Sequence, residues 1–117
     1  MLENIAIVKE VHEHMTTPKA QQLANDTLDK INLSRIGLYR APKCSTMEIF
    51  YVMFIRALMT KETTVIIEIP HSVMDNLNEL QATFDNLNIL KMSKNILILD
   101  IIDNETYYEG CSCNIIK

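Results

Sequence analysis

Glycine and proline are scarce in this chain of 117 residues, which has two of the first and three of the second. That scarcity argues against glycine-rich phosphate loops, disordered linkers and low-complexity tracts alike. Positive charge is not concentrated either: the formal net charge is -4 and no basic cluster exceeds two or three residues. The electrostatic footprint that DNA or RNA requires is missing, so no nucleic-acid partner is expected. Long apolar runs are missing too. Ile49–Met59 is broken by Arg56 and Ile96–Ile102 by Asp100, and both fall short of the ~20 residues that cross a bilayer, with no cleavable signal ahead of them. No direct membrane insertion is expected, and the cytosol is the expected location. The three cysteines are an odd number and include the close pair Cys111 and Cys113, which is not a secreted disulfide framework; reduced thiols are the expectation.

What remains is a 48% hydrophobic composition, no internal repeat, and a length that suits one domain spanning residues 1–117. Ile7, Val8, Val11 and Met15 recur at helical spacing, which predicts a helix from Leu2 to His14 ending near Thr16 and Thr17. Thr17 can cap a second helix that opens on Pro18, with Ala20, Leu23, Ala24, Leu28 and Ile31 as its apolar stripe. Together these two make a helical hairpin. Asn32 to Lys43 contains Gly37 and Pro42 without a sustained period and reads as a connection. Ser45 and Glu48 then have the spacing of a capping box, opening a helix from Met47 to Met59 that is apolar almost all round and should be buried centrally.

Thr63–Ile69 is β-branched without alternation, the pattern of a strand covered on both faces, and Pro70 ends it. Leu77, Leu80, Phe84 and Leu87 predict a helix from Asn76 to about Met92, and Ile96–Ile102 a second buried strand. Strand, helix and strand in that order imply a right-handed βαβ unit with parallel strands, hence an α/β fold. Asp103 to Glu105 resembles a turn, and Tyr107 and Tyr108 open a candidate last strand that pairs back.

At Cys44-Ser45-Thr46-Met47-Glu48 the chain begins to resemble the ATP-binding-cassette ATPases, whose signature loop LSGGQ opens a helix leading to an RAL sequence and then the Walker B strand. Arg56-Ala57-Leu58 lies eleven residues beyond Ser45, in the family's register. Glu68-Ile69-Pro70-His71-Ser72-Val73-Met74-Asp75 falls where the family carries DEPTSALD. Upstream, Leu2-Glu3-Asn4-Ile5 and Ala20 to Leu33 are similar to the helical subdomain. Lys94 to Ile102 matches the strand before the switch histidine, and Asn95 to Gly110 is an alternative match to the hairpin that closes many cassettes. The resemblance implies a partial P-loop, cassette-like module: residues 1–43 as the helical-subdomain part, and residues 44–117 as signature helix and βαβ core with a C-terminal hairpin as an option.

It also implies weak nucleotide-binding candidates in Ser45, Glu48, Glu68 and Asp75, but no catalytic residue. No G-x-x-x-x-G-K-S/T loop exists to hold the β- and γ-phosphates. Thr46 and Met47 replace the signature glycines that let backbone approach phosphate. Glu68 takes the place of the Mg²⁺-organising aspartate, one methylene longer. Ile69 replaces the glutamate that polarises the attacking water, and Ile101 or Ile102 the switch histidine; aliphatic chains cannot handle a proton. No ATPase activity is expected from the chain alone and no cofactor is expected, with ATP and Mg²⁺ as weak ligands at most.

Each candidate also has a plainer explanation. Helix capping accounts for Ser45 and Glu48 without nucleotide, and Glu68 fits a contact with an arginine or a helix end. His12 and His14 stand on different faces and cannot share a metal. His71 lacks a nucleophile pattern beside it, and Cys111 with Cys113 gives too few ligands for a closed metal site. The expected function is thus a non-catalytic cassette-like subunit or fragment, assembling as a homodimer or with transporter membrane or ATPase subunits. In the family the membrane partner docks on the helical subdomain, which points to residues between Leu2 and Arg40. The alternatives are a piece of a full ATP-binding protein whose phosphate loop lies upstream, and a small ligand-binding regulatory domain sharing only the βαβ plan.

Overall fold

The computed structural model describes residues 1–68, 80–111 and 113–116. The expected strand end at Ile69 and Pro70, His71, Asp75 and the start of the helix expected from Asn76 lie outside the described residues. The elements run α1 (Leu2–Glu13), α2 (Thr17–Asp29), α3 (Thr46–Leu58), β1 (Thr64–Glu68), α4 (Leu80–Leu90) and β2 (Asn95–Leu99).

The first two helices form the expected hairpin. α1 buries Ile5 and Ala6, α2 buries Ala20, Ala24, Thr27 and Leu28, and the small alanines let the two backbones approach closely. Thr27 is buried without penalty because its hydroxyl donates to the Leu23 carbonyl at 2.7 Å. His14 closes α1 in the left-handed conformation, φ 53°. The cap of α2 is a correction: Thr16, not Thr17, is the N-cap, and no side-chain cap bond forms. Proline near the first turn needs no N–H partner, so the helix starts without one. The connection that follows holds two 3₁₀ turns, Ser34–Leu38 and Ala41–Lys43. Ile36 is fully buried within it, and the Met1 nitrogen donates to the carbonyls of Gly37 at 3.2 Å and Tyr39 at 2.6 Å.

α3 is the central element. It buries Phe50, Tyr51, Val52, Phe54, Ile55 and Leu58 and leaves Met53 and Arg56 exposed. Phe50 meets Tyr51 edge-on and stacks with Phe54. The Tyr51 hydroxyl accepts a hydrogen bond from Asn86 of α4 at 2.9 Å, so the polar end of a buried ring is satisfied across the helix pair.

β1 and β2 pair in parallel, with Thr64 against Asn95, Ile66 against Leu97 and Glu68 against Leu99. The parallel pairing agrees with the βαβ reading, but the expected burial on both faces does not hold. Val65 is buried and Ile67, Ile96 and Ile98 are partly buried against the helices, whereas Ile66 is 59% exposed and Leu97 and Leu99 are each 44% exposed. Continuous apolar sequence allows cover on two faces; among the described residues helices pack on one of them. Lys94, just before β2, donates through Nζ to the carbonyls of Thr60, at 2.6 Å, and Glu62, fastening the turn after α3 to the start of the sheet.

The tail is the other correction. β2 stops at Leu99, and Ile102–Tyr108 forms 3₁₀ turns instead of continuing the strand or pairing Tyr107 and Tyr108 back. Asp100 is the cause. Its Oδ1 accepts from the Ile101 N–H at 2.7 Å and from Asn104 Nδ2 at 2.8 Å, and its Oδ2 from the Tyr108 hydroxyl at 2.6 Å. Three donors gathered on one carboxylate curl the backbone out of the sheet. Among the described residues no helix is long and apolar enough to cross a membrane.

Ile55 has no exposed surface, whereas Met53 on the same helix is 63% exposed. Ile55→Ala should therefore cost about 3 kcal/mol and Met53→Ala less than about 0.5 kcal/mol, read as the shift in urea unfolding midpoint at constant slope.

Candidate functional site

Ser45 and Glu48 sit at the start of α3 because a chain emerging extended from Ala41–Lys43 must satisfy the free N–H groups of the new helix. They do so reciprocally. The Ser45 hydroxyl accepts from the Glu48 N–H at 3.1 Å, and Glu48 Oε1 accepts from the Ser45 N–H at 2.8 Å. The second carboxylate oxygen, Oε2, receives both terminal nitrogens of Arg35, at 2.8 and 2.7 Å. Arg35 belongs to the 3₁₀ turn Ser34–Leu38, thirteen residues away, and no local pattern marks it as the partner. The glutamate side chain is 13% exposed, so the pair is shielded on its acidic side and open on its basic side.

Glu68 ends β1 on the bare face of the sheet and is exposed. Its side chain makes no hydrogen bond or ion pair with another described residue, so the expected contact with an arginine or helix end is not formed there. Asp75 lies outside the described residues. What the structure does bring together is Ser45, Glu48 and Arg35, an arrangement whose polar atoms address one another. His12 and His14 are both exposed on α1 and just beyond it, and no group of three or more His, Cys, Asp or Glu side chains suited to a metal occurs among the described residues.

A groove of about 860 Å³ lies elsewhere, along β2. Phe84 and Leu87 of α4, Lys91 just beyond it, Ile96 and Ile98 of β2, and the tail around Ile115 form its walls. Asp100 and Tyr108 also line it. Tyr108 packs edge-on against Phe84 at 5.8 Å, and burial, followed by its hydrogen bond to Asp100, raises its pKa well above the ordinary tyrosine range. Burial also raises the Cys111 thiol, with further contributions from Cys113 and Asp85. Cys44, Cys111 and Cys113 are all free thiols. None of Ser45, Glu48 or Glu68 lines this groove.

Comparison with protein families, with characterised proteins and with solved structures finds no match to this chain.

Two outcomes follow from these geometries. Ser45→Ala removes a cap and should cost about 1 kcal/mol in thermal or urea unfolding, with the helix start frayed in amide exchange. Tyr108 holds its proton more tightly folded than unfolded, so its contribution is complete below the ordinary tyrosine pKa of about 10 and is lost as pH rises above it. The stability difference between the wild type and Tyr108→Phe should therefore shrink above about pH 10, measured by urea unfolding at a series of alkaline pH values.

Proposed function

We propose that the chain is a non-catalytic subunit of the ATP-binding-cassette type that acts in the cytoplasm through protein assembly, a transporter component being one class of partner. The observation that carries this reading is the engagement of Ser45 and Glu48. In the resemblance they stand where a γ-phosphate would be met, and here their polar atoms serve the helix start and Arg35. A phosphate would have to displace the box, leaving helix N–H groups or the Arg35 guanidinium without their present partners. Met47 is partly buried and joins both clusters of the core, so the side chain that replaces a signature glycine acts as packing. The exposure of Ile66, Leu97 and Leu99 on one face of the β1–β2 pair supports the assembly half of the reading, because parallel sheets are ordinarily covered on both sides.

A second reading, a small-molecule regulatory domain, is favoured by the groove along β2, whose size and mixed apolar and polar walls suit a metabolite. Thermal-shift screening separates the two: a metabolite that raises the melting temperature, with no such response to nucleotides, selects the second.

The purified chain should show ATP turnover equal to the buffer blank, with or without Mg²⁺. Its affinity for ATP should be millimolar or weaker, about 4 kcal/mol, by calorimetry. Micromolar binding, roughly 8 kcal/mol, or Mg²⁺-dependent turnover overturns the first reading.

A further inference from the structure

β1 has one hydrogen-bonded neighbour among the described residues, β2, so its other edge is open there. Such an edge presents unpaired backbone donors and acceptors and is a template for another strand. Ile66, at its centre, is the most exposed of the strand's apolar residues at 59%, ahead of its neighbour Leu97 at 44%. Ile67, which faces the core, is only partly buried, while Val65 beside it is buried. Exposure of this kind is lateral as well as facial, and a strand laid along the edge would cover it.

The sequence of β1 fits one occupant of that edge. Thr64-Val65-Ile66-Ile67-Glu68, paired antiparallel with its own copy about a two-fold axis at Ile66, sets Ile66 against Ile66, Val65 against Ile67 and Thr64 against Glu68. Directly opposed residues share a face, so the apolar pairs meet on both sides of the extended sheet. Each Thr64 hydroxyl stands where it can donate to the Glu68 carboxylate of the other copy, and no like charges oppose. The strand is thus self-complementary in the sense an isologous interface requires. β2 is not: the same operation on Asn95–Leu99 would oppose an amide to a leucine, and its surroundings already hold the tail around Ile115.

Resting on the assembly reading, we propose that a second copy of this chain is the partner, joined through β1 in antiparallel register to make a continuous four-stranded sheet ordered β2-β1-β1-β2. An edge of five residues, about 17 Å long, covers less than the roughly 800 Å² per partner of a stable interface, so the dimer forms and dissociates with concentration.

Light scattering over a dilution series should show the mass rise from 13.5 kDa toward twice that value. Ile66→Lys, which opposes two ammonium groups on the axis at an exposed position, should remain at the monomer mass with unchanged circular dichroism. Register is read with a short bifunctional thiol reagent in a background where Cys44, Cys111 and Cys113 are serine and folding has been verified. Ile66→Cys should cross-link to itself; Thr64→Cys and Glu68→Cys should cross-link when mixed, and at least tenfold less when alone. A monomer at every concentration, a dimer that survives Ile66→Lys, or self-linking of Thr64→Cys equal to that of Ile66→Cys overturns the proposal. None of these results touches the assembly reading, which fails separately if the same preparation turns over Mg-ATP.

Discussion

Burial of α3 is the constraint on which the rest of the structure depends. Six of its thirteen residues are buried, on more than one side, so a single neighbouring layer cannot cover it. The α1–α2 hairpin and the Ser34–Leu38 turn supply Ile5, Leu28 and Ile36 to the shared core, and the sheet and α4 supply Val65, Leu87 and Leu90. Met47, at the helix start, also touches the smaller cluster of Leu80 and Phe84. Three polar contacts hold this helix in place. The capping box sets its first residue, Arg35 holds that end to the connection, and Lys94 holds the turn beyond its other end to β2.

What the sequence disclosed was local. Helical spacing, the Ser45 and Glu48 pair and the strand–helix–strand order are properties of residues close in the chain, and the structure has those elements; the apolar stripe of the first helix is the exception, because Ile7 and Val11 are exposed and Ile5 and Ala6 are buried in their place. The misses are non-local. An unbroken run such as Val65-Ile66-Ile67 says that two faces tolerate burial, but says nothing about whether a second layer exists. The Arg35–Glu48 pair spans thirteen residues and the reach of Lys94 to Thr60 thirty-four, distances at which no periodicity operates. Asp100 is the instructive case: within an apolar run it looks like an interruption of a strand, whereas its carboxylate collects three donors and ends the strand outright. Of the candidate site, the helix cap was legible in full and its arginine not at all. The exposure of Glu68 could not be read, because it depends on what stands above the sheet.

The same locality explains why resemblance and site part company. A signature-like stretch is carried by a helix start, and helix starts impose their own chemistry: a hydroxyl at the cap, a carboxylate three residues on and donors nearby. Those demands are met by Ser45, Glu48 and Arg35 whether or not a phosphate is present. A residue pattern shared between a ligand site and a structural cap therefore cannot distinguish them, and the distinction falls to geometry. Here Glu48 has both oxygens occupied within the chain.

Thickness brings these points together. The Cα trace measures 44 by 30 by 19 Å, and packed layers stand about 10 Å apart, so the short dimension accommodates about two layers. α3 and its helical neighbours take one and the sheet takes the other, leaving Ile66, Leu97 and Leu99 with solvent on their outer side. Three such side chains are too small a patch to nucleate a large interface alone. Strand edges are different, because backbone pairing adds direction to apolar contact and makes a small area selective. Among the described residues β1 has no strand on its side away from β2, and such an edge offers backbone pairing in a defined direction that an apolar face alone does not.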